Sequence, residues 1–135
     1  MVFRVYDTEN KVWLKDDFYL SPNDELFLIK KSIFGKPKTI ELLYQDRYVY
    51  HKAIDLWDKN NVQVYEGDYI KAHVEEDKFV IGVVAFAHEL SAYIILCVDS
   101  DIFYTLGSSV STEIEIIGNV FDGRKEDEKD GQSSL

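Results

Sequence analysis

Apolar residues come in short runs along this chain, separated by turn chemistry, and the rhythm holds from the N-terminus to about Asp122. Val2–Asp7 is followed by Thr8-Glu9-Asn10 and then by Lys11–Leu14, which predicts a hairpin turning through Asp7 and Asn10. Ser21-Pro22-Asn23-Asp24 breaks the chain before Leu26–Ile29, and Gly35-Lys36-Pro37-Lys38 breaks it again before Thr39–Leu43. Tyr48–Trp57 reads as a strand in its first part and fits strand or helix beyond. Asp58-Lys59-Asn60-Asn61 then predicts a tight reversal, because Asn and Asp tolerate left-handed backbone better than other side chains do.

In the second half the periods are clearer. After Glu66-Gly67-Asp68, the residues Ile70, Ala72 and Val74 alternate with Tyr69, Lys71 and His73, the mark of a strand with one dry face. Glu75-Glu76-Asp77-Lys78 reads as a charged loop. Phe79–Ala87 and Ala92–Val98 are apolar at both parities, so both faces of these strands are expected to be covered. Ile102–Leu106 and Glu113–Phe121 supply two more strands, the second perturbed at Ile117-Gly118. The fold class these runs predict is mainly β, in two small β-rich lobes. Residues 1–56 form the first lobe, and residues 57–121 form a small SH3-like, partly open barrel. Residues 122–135 carry a single aliphatic side chain, Leu135, and read as a disordered polar tail.

Charge sharpens this division. The 135 residues include 15 Lys or Arg and 25 Asp or Glu, a formal net charge of -10. Residues 1–56 hold nine acids and nine bases, whereas residues 57–121 hold eleven acids and three bases, a net of -8. Such a segment repels phosphate backbones and argues against DNA or RNA as its ligand. It suits a basic protein surface, although solubility alone accounts for the same charge. With 46% hydrophobic and 14% aromatic residues, the chain is too apolar for a disordered acidic protein. No apolar run approaches the ~18 residues of a membrane span, and the N-terminus lacks the pattern of a secretory signal. The single cysteine, Cys97, permits no internal disulfide and fits a reducing compartment.

Candidate catalytic chemistry is sparse. His51, His73, His88 and Cys97 lack the short spacing of a zinc site; His73 and Glu75 share a strand face, but two ligands are too few. Asp99-Ser100-Asp101 has the form of a metal-binding D-x-D and reads as a turn between two strands. Cys97 lies inside an apolar strand, and Ser108, Ser109 and Ser111 lack a nucleophile setting. Adjacent carboxylates such as Asp16-Asp17 point apart on a strand. The expectation is a non-enzyme without metal or cofactor. Binding fits better. Tyr65, Tyr69, Tyr93, Phe103 and Tyr104, beside the acids Glu75, Glu76 and Asp77, suit an interface for an Arg- or Lys-bearing partner. The doubly apolar strands also suggest a homo-oligomer.

Three stretches together resemble the YopX family. Phe3–Lys11 is similar to its opening F-R-x-[WY]-D-x-x-N-K, and Asp55–Ile70 to its G-L-x-D-x-x-G-x-x-[IV]-Y-E-G-D-[IV]-[IV]. Ile116–Asp122 is close to V-I-G-N-[IV]-[YF]-[ED], and Gly82–Phe86 between them fits G-x-V-x-F. Asp55 and Asn61 stand where the family usually has glycine; Asn61 keeps access to a positive φ. The physical reading of these stretches is structural. Asn61 and Gly67 permit turns, Glu66 or Asp68 accepts turn amides, and Gly118 with Asn119 forms a bulge or close approach. The resemblance implies a phage- or prophage-encoded, β-rich protein of the bacterial host cytoplasm, without an established activity. The expected function is an accessory one, exerted through protein contact. The alternatives are an acidic decoy covering a host protein's nucleic-acid-binding surface, a nucleic-acid-binding barrel, or a small metal-dependent hydrolase.

Overall fold

The computed structural model describes residues 2–30, 34, 39–75, 78–106 and 113–125, and thirteen strands lie among them. In chain order they are β1 (Phe3–Asp7), β2 (Val12–Leu14), β3 (Asp17–Leu20), β4 (Leu26–Lys30), β5 (Thr39–Leu43), β6 (Tyr48–Trp57) and β7 (Gln63–Tyr65). There follow β8 (Asp68–Glu75), β9 (Lys78–Ala87), β10 (Ala92–Cys97), β11 (Phe103–Thr105), β12 (Ile114–Asn119) and β13 (Gly123–Arg124). The fold is mainly β, as the short apolar runs require. Two compact units divide the chain: Phe3–His51, and Met1–Val2 with Lys52–Leu135. The division falls inside β6, all of which is strand.

In the unit Phe3–His51, β1 and β2 form the hairpin anticipated from the sequence, with Asp7 opposite Val12 and Lys11 at φ 57° closing the turn. A second sheet has the order β3-β4-β5, antiparallel throughout. Alternation along its strands sends Phe18, Leu20, Leu26, Leu28 and Leu43 to one face, where they pack with Val5 as the core of this unit. The N-terminal turn is fixed by an ion pair between the buried Asp7 and the partly exposed Arg47. Arg47 donates from Nε and Nη2 to the two carboxylate oxygens of Asp7, at 2.9 Å each, and Asp7 is only 2% exposed. Asp7 also accepts the backbone amides of Glu9 and Asn10. The Arg47 bonds outweigh the effect of burial and hold the Asp7 carboxyl at about 2. Nearby, His51 stands against Trp13, whose ring Arg4 covers at 4.4 Å. Burial, reinforced by the Arg4 charge, pushes the imidazole of His51 down to about 4.

In the second unit, a six-stranded sheet of order β11-β10-β9-β8-β12-β13 curls as a half-barrel. β7 pairs with the end of β6, Ala53 opposite Tyr65 and Trp57 opposite Gln63. The concave side holds Ile70, Ala72, Val84, Ile95 and Ile114, which bury Ile54 and Val64 with them. At ~25 cal/mol per Å² of apolar surface, each of the buried Ile and Val side chains stabilises the fold by roughly 1.5–3 kcal/mol. Glu75 and Lys78 belong to β8 and β9 and pair with each other, so the expected charged loop is shorter than Glu75–Lys78; Glu76 and Asp77 lie outside the described residues. So do Gly35–Lys38, Ser108, Ser109, Ser111 and the tail from residue 126.

One expectation is corrected. β10 is covered on both faces at mid-strand, where the neighbours Ile94 (6% exposed) and Ile95 (0%) point opposite ways, but Phe79 at the start of β9 and Leu96 near the end of β10 are exposed. A run apolar at both parities fits two covered faces, but it fits equally a strand whose second face is left in contact with solvent at one end.

The ladder between β8 and β12 slips at Ile116/Gly118, and Gly118 sits at φ 149° with β13 folded back on it. A Cβ there would lie 1.8 Å from the Gly123 carbonyl oxygen, whereas one on Gly123 (φ 88°) would meet nothing within 4 Å. Gly118→Ala is expected to destabilise the protein by about 3 kcal/mol and Gly123→Ala by about 1 kcal/mol, as read from urea unfolding midpoints. Equal losses would contradict the close approach.

A pH dependence follows for the unit Phe3–His51. His51 has a folded pKa below its ordinary 6.5, so the unfolded chain takes up the proton first. Its contribution is full above pH 6.5 and is lost as pH falls towards about 4; that of Asp7 persists lower, to about 2. In a Trp57→Phe background, Trp13 fluorescence should report a urea midpoint that drops between pH 6.5 and 4.5. His51→Gln should flatten that drop.

Candidate functional site

The stretches singled out in the sequence meet in the second unit as a hydrogen-bond network. Asp58, buried at the end of the β6 strand, accepts the amides of Asn60 and Val62 on one carboxylate oxygen, both at 2.9 Å. Its other oxygen accepts the amide of Ile116 on β12 at 3.2 Å. The Lys59 amide donates to Ile114 beside it, at 2.9 Å. Asn61 completes the turn at φ 62°, with its amide on the Asp58 carbonyl. The reversal Asp58–Asn61 is thereby tied to a strand more than fifty residues away.

The second knot lies at Glu66-Gly67-Asp68. The Glu66 carboxylate accepts the Lys52 amide at 2.8 Å, and the Glu66 amide returns a bond to the Lys52 carbonyl. Gly67, at φ 82°, donates its amide to the Val84 carbonyl on β9 and accepts the amide of Val120. Asp68, 2% exposed, accepts the Tyr65 amide at 2.8 Å and stands opposite Asn119 in the ladder. The Asn119 side-chain oxygen accepts the amides of Phe121 and Asp122, forming the turn into β13. Each of these polar side chains thus bonds main-chain amides that would otherwise lack partners.

The aromatic candidates scatter. Tyr65 and Tyr104 are half-buried, and Tyr69 lies under the guanidinium of Arg124 at 5.4 Å. Tyr93 packs against the core and meets Phe86 edge-on at 5.0 Å; burial, with Glu66 adding, raises its phenol pKa. Phe103 alone of this group is exposed. Asp99 and Asp101 are exposed in the turn between β10 and β11, where burial pushes the Cys97 thiol up and away from the thiolate. Among the described residues, no three His, Cys, Asp or Glu side chains are placed to hold a metal ion, and no helix is long and apolar enough to cross a membrane.

What the network leaves to solvent is one end of the convex face of the six-stranded sheet, beyond the buried Ile94. Register sets Tyr69, Val83, Leu96 and Phe103 in one row across β8, β9, β10 and β11. Leu96 (42% exposed) and Phe103 (47%) end that row, with Val98 and Phe79 (52%) beside them. A cleft of about 300 Å³ opens at this end, lined by Phe79, Ile81, Cys97, Asp99, Ile102 and Tyr104. Sequence reasoning named Phe103 but missed Phe79, Leu96 and Ile102. An apolar residue in a strand gives no sign of which face its neighbours leave uncovered.

A family model described as YopX protein matches residues 2–124 of the chain. The crystal structure of protein EF1440 from Enterococcus faecalis is similar in fold, with a TM-score of 0.51 at 22% identity, over 88% of this chain and 92% of that one. At that identity the likeness speaks for the fold alone. A comparison with curated proteins finds no match.

The geometry separates acids that hold the fold from acids that do not. Asp58→Ala strips three amides of their acceptor and is expected to cost about 2–3 kcal/mol in thermal or urea unfolding. Asp99→Asn with Asp101→Asn should leave stability unchanged within about 0.5 kcal/mol.

Proposed function

The chain belongs to the YopX family, and on that premise we propose that it is a phage- or prophage-encoded accessory protein of the bacterial cytoplasm that binds a basic protein partner. The binding surface is that end of the convex face of the six-stranded sheet, centred on Leu96 and Phe103. The observation that carries this reading is a set of exposed apolar side chains at one end of neighbouring strands, Leu96 opposite Phe103 with Val98 and Phe79 further along, and the exposed Asp99 and Asp101 in the adjoining turn. Aromatic and aliphatic side chains with flanking charge form the usual core and border of a protein interface. Asp99 and Asp101 supply partners for Lys or Arg. No catalytic step is assigned, because the carboxylates of the matched stretches are occupied with backbone amides.

The charge distribution favours one special case. Taken by unit, Phe3–His51 holds eight acidic and eight basic residues, and the remainder of the chain carries the entire -10. A partner whose own surface binds nucleic acid would match that field, which makes the protein a decoy for such a surface.

Affinity capture on the full chain from bacterial extract, at about 50 mM and about 500 mM salt, tests the proposal. A defined basic protein is expected to be retained at low salt and released at high salt. Leu96→Ser with Phe103→Ser should reduce its retention about tenfold or more. No retained protein at either salt, or retention indifferent to the double substitution, would remove the proposal.

A further inference from the structure

The sheet β3-β4-β5 has a second face that the core of its unit does not use. Register places Asp17, Ile29 and Ile40 in one row across it, and Tyr19, Phe27 and Leu42 in the next. Five of these six positions are apolar. Ile40 is 66% exposed, Tyr19 50%, and Leu42 is also exposed. The Tyr19 and Phe27 rings stand 6.3 Å apart within the second row.

We propose that this face packs against the same face of a second copy of the chain, making a reversible, two-fold symmetric dimer. Two sheets with apolar faces pack about 10 Å apart with their strands roughly aligned, and a flat face can serve as its own complement. Charge selects the occupant. The unit that carries this face is electrically neutral, with eight acids and eight bases, so two copies meet there without net repulsion. The rest of the chain bears -10, so two copies approaching through that part would repel each other. A strongly basic or acidic partner would find no net opposing charge on this unit, and Asp17 is the one charged position in the two rows. A standard stable interface takes ~800 Å² per partner, more than two rows of three side chains supply, so the dimer is a weak one. This inference is independent of the partner-binding surface proposed above, which lies on the other unit.

Sedimentation velocity of the full chain between about 5 and 500 µM, at about 50 and 500 mM salt, is the test. Dimer should appear at the higher concentrations and increase with salt, because screening relieves the repulsion between the acidic parts. Ile40→Lys should weaken association about tenfold or more, and Tyr19→Ser should weaken it several-fold. Both sites are exposed, so the urea unfolding midpoint should stay unchanged in both variants. Capture of a basic partner through Leu96 and Phe103 should be unaffected by Ile40→Lys, which keeps the two proposals separable. A monomer at every concentration and salt would overturn the inference. So would a dimer that dissolves as salt rises, or one that survives Ile40→Lys but is lost on Leu96→Ser with Phe103→Ser.

Discussion

The Asp58 carboxylate bridges two parts of the chain that have no covalent reason to be close. One oxygen closes its own turn by accepting the Asn60 and Val62 amides, and the other takes the Ile116 amide from β12. A buried carboxylate is costly unless its lone pairs are satisfied, and here three amides with their own need of partners satisfy it. Glu66, Gly67 and Asp68 repeat the arrangement a turn later against Lys52, Val84, Val120 and Tyr65. The six-stranded sheet therefore has two adjacent inner strands, β8 and β12, located by polar side chains as well as by apolar packing.

This use of acids bears on function. The carboxylates of Asp58, Glu66 and Asp68 have their oxygens turned towards backbone amides, which is why the proposed function looks to surfaces. The two units present different ones. The acidic unit shows an aromatic and aliphatic strip with Asp99 and Asp101 at its end, and the neutral unit shows an apolar sheet face with almost no charge. On the two proposals, electrostatics would sort contacts by type, an oppositely charged protein at the one and a second copy at the other.

The strands of the second half were legible because their periods are long. Tyr69–Val74 alternates cleanly, and the glycine and acid positions at Glu66-Gly67-Asp68 and Gly118-Asn119 marked where the chain had to turn. Asp17–Leu20 was not legible, since Phe18-Tyr19-Leu20 is too short to show a period and follows two acids. Tyr48–Trp57 looked divided between strand and helix because Lys52-Ala53-Ile54-Asp55-Leu56 has no strict alternation; pairing with β7 at Ala53 and Trp57 around a register shift explains the irregularity. The reversal at Asp58 was visible in sequence, but its bond to Ile116 was not, because local composition carries no trace of a partner 58 residues away. The exposed strip on β9 and β10 was misread for a related reason: hydrophobicity states what a side chain prefers, and only the fold decides which preferences go unmet.

The placement of β12 has a consequence for biosynthesis. The strands of the β8–β11 meander find their neighbours within a few tens of residues, so this part of the sheet can assemble as it leaves the ribosome. β8 must wait for Ile114–Asn119, made some forty residues later, and until then one flank of that strand is bare. Translation that stops before Asn119 leaves a chain with most of its sheet in place and an open adhesive border, prone to joining its neighbours in the cell instead of its own last strand.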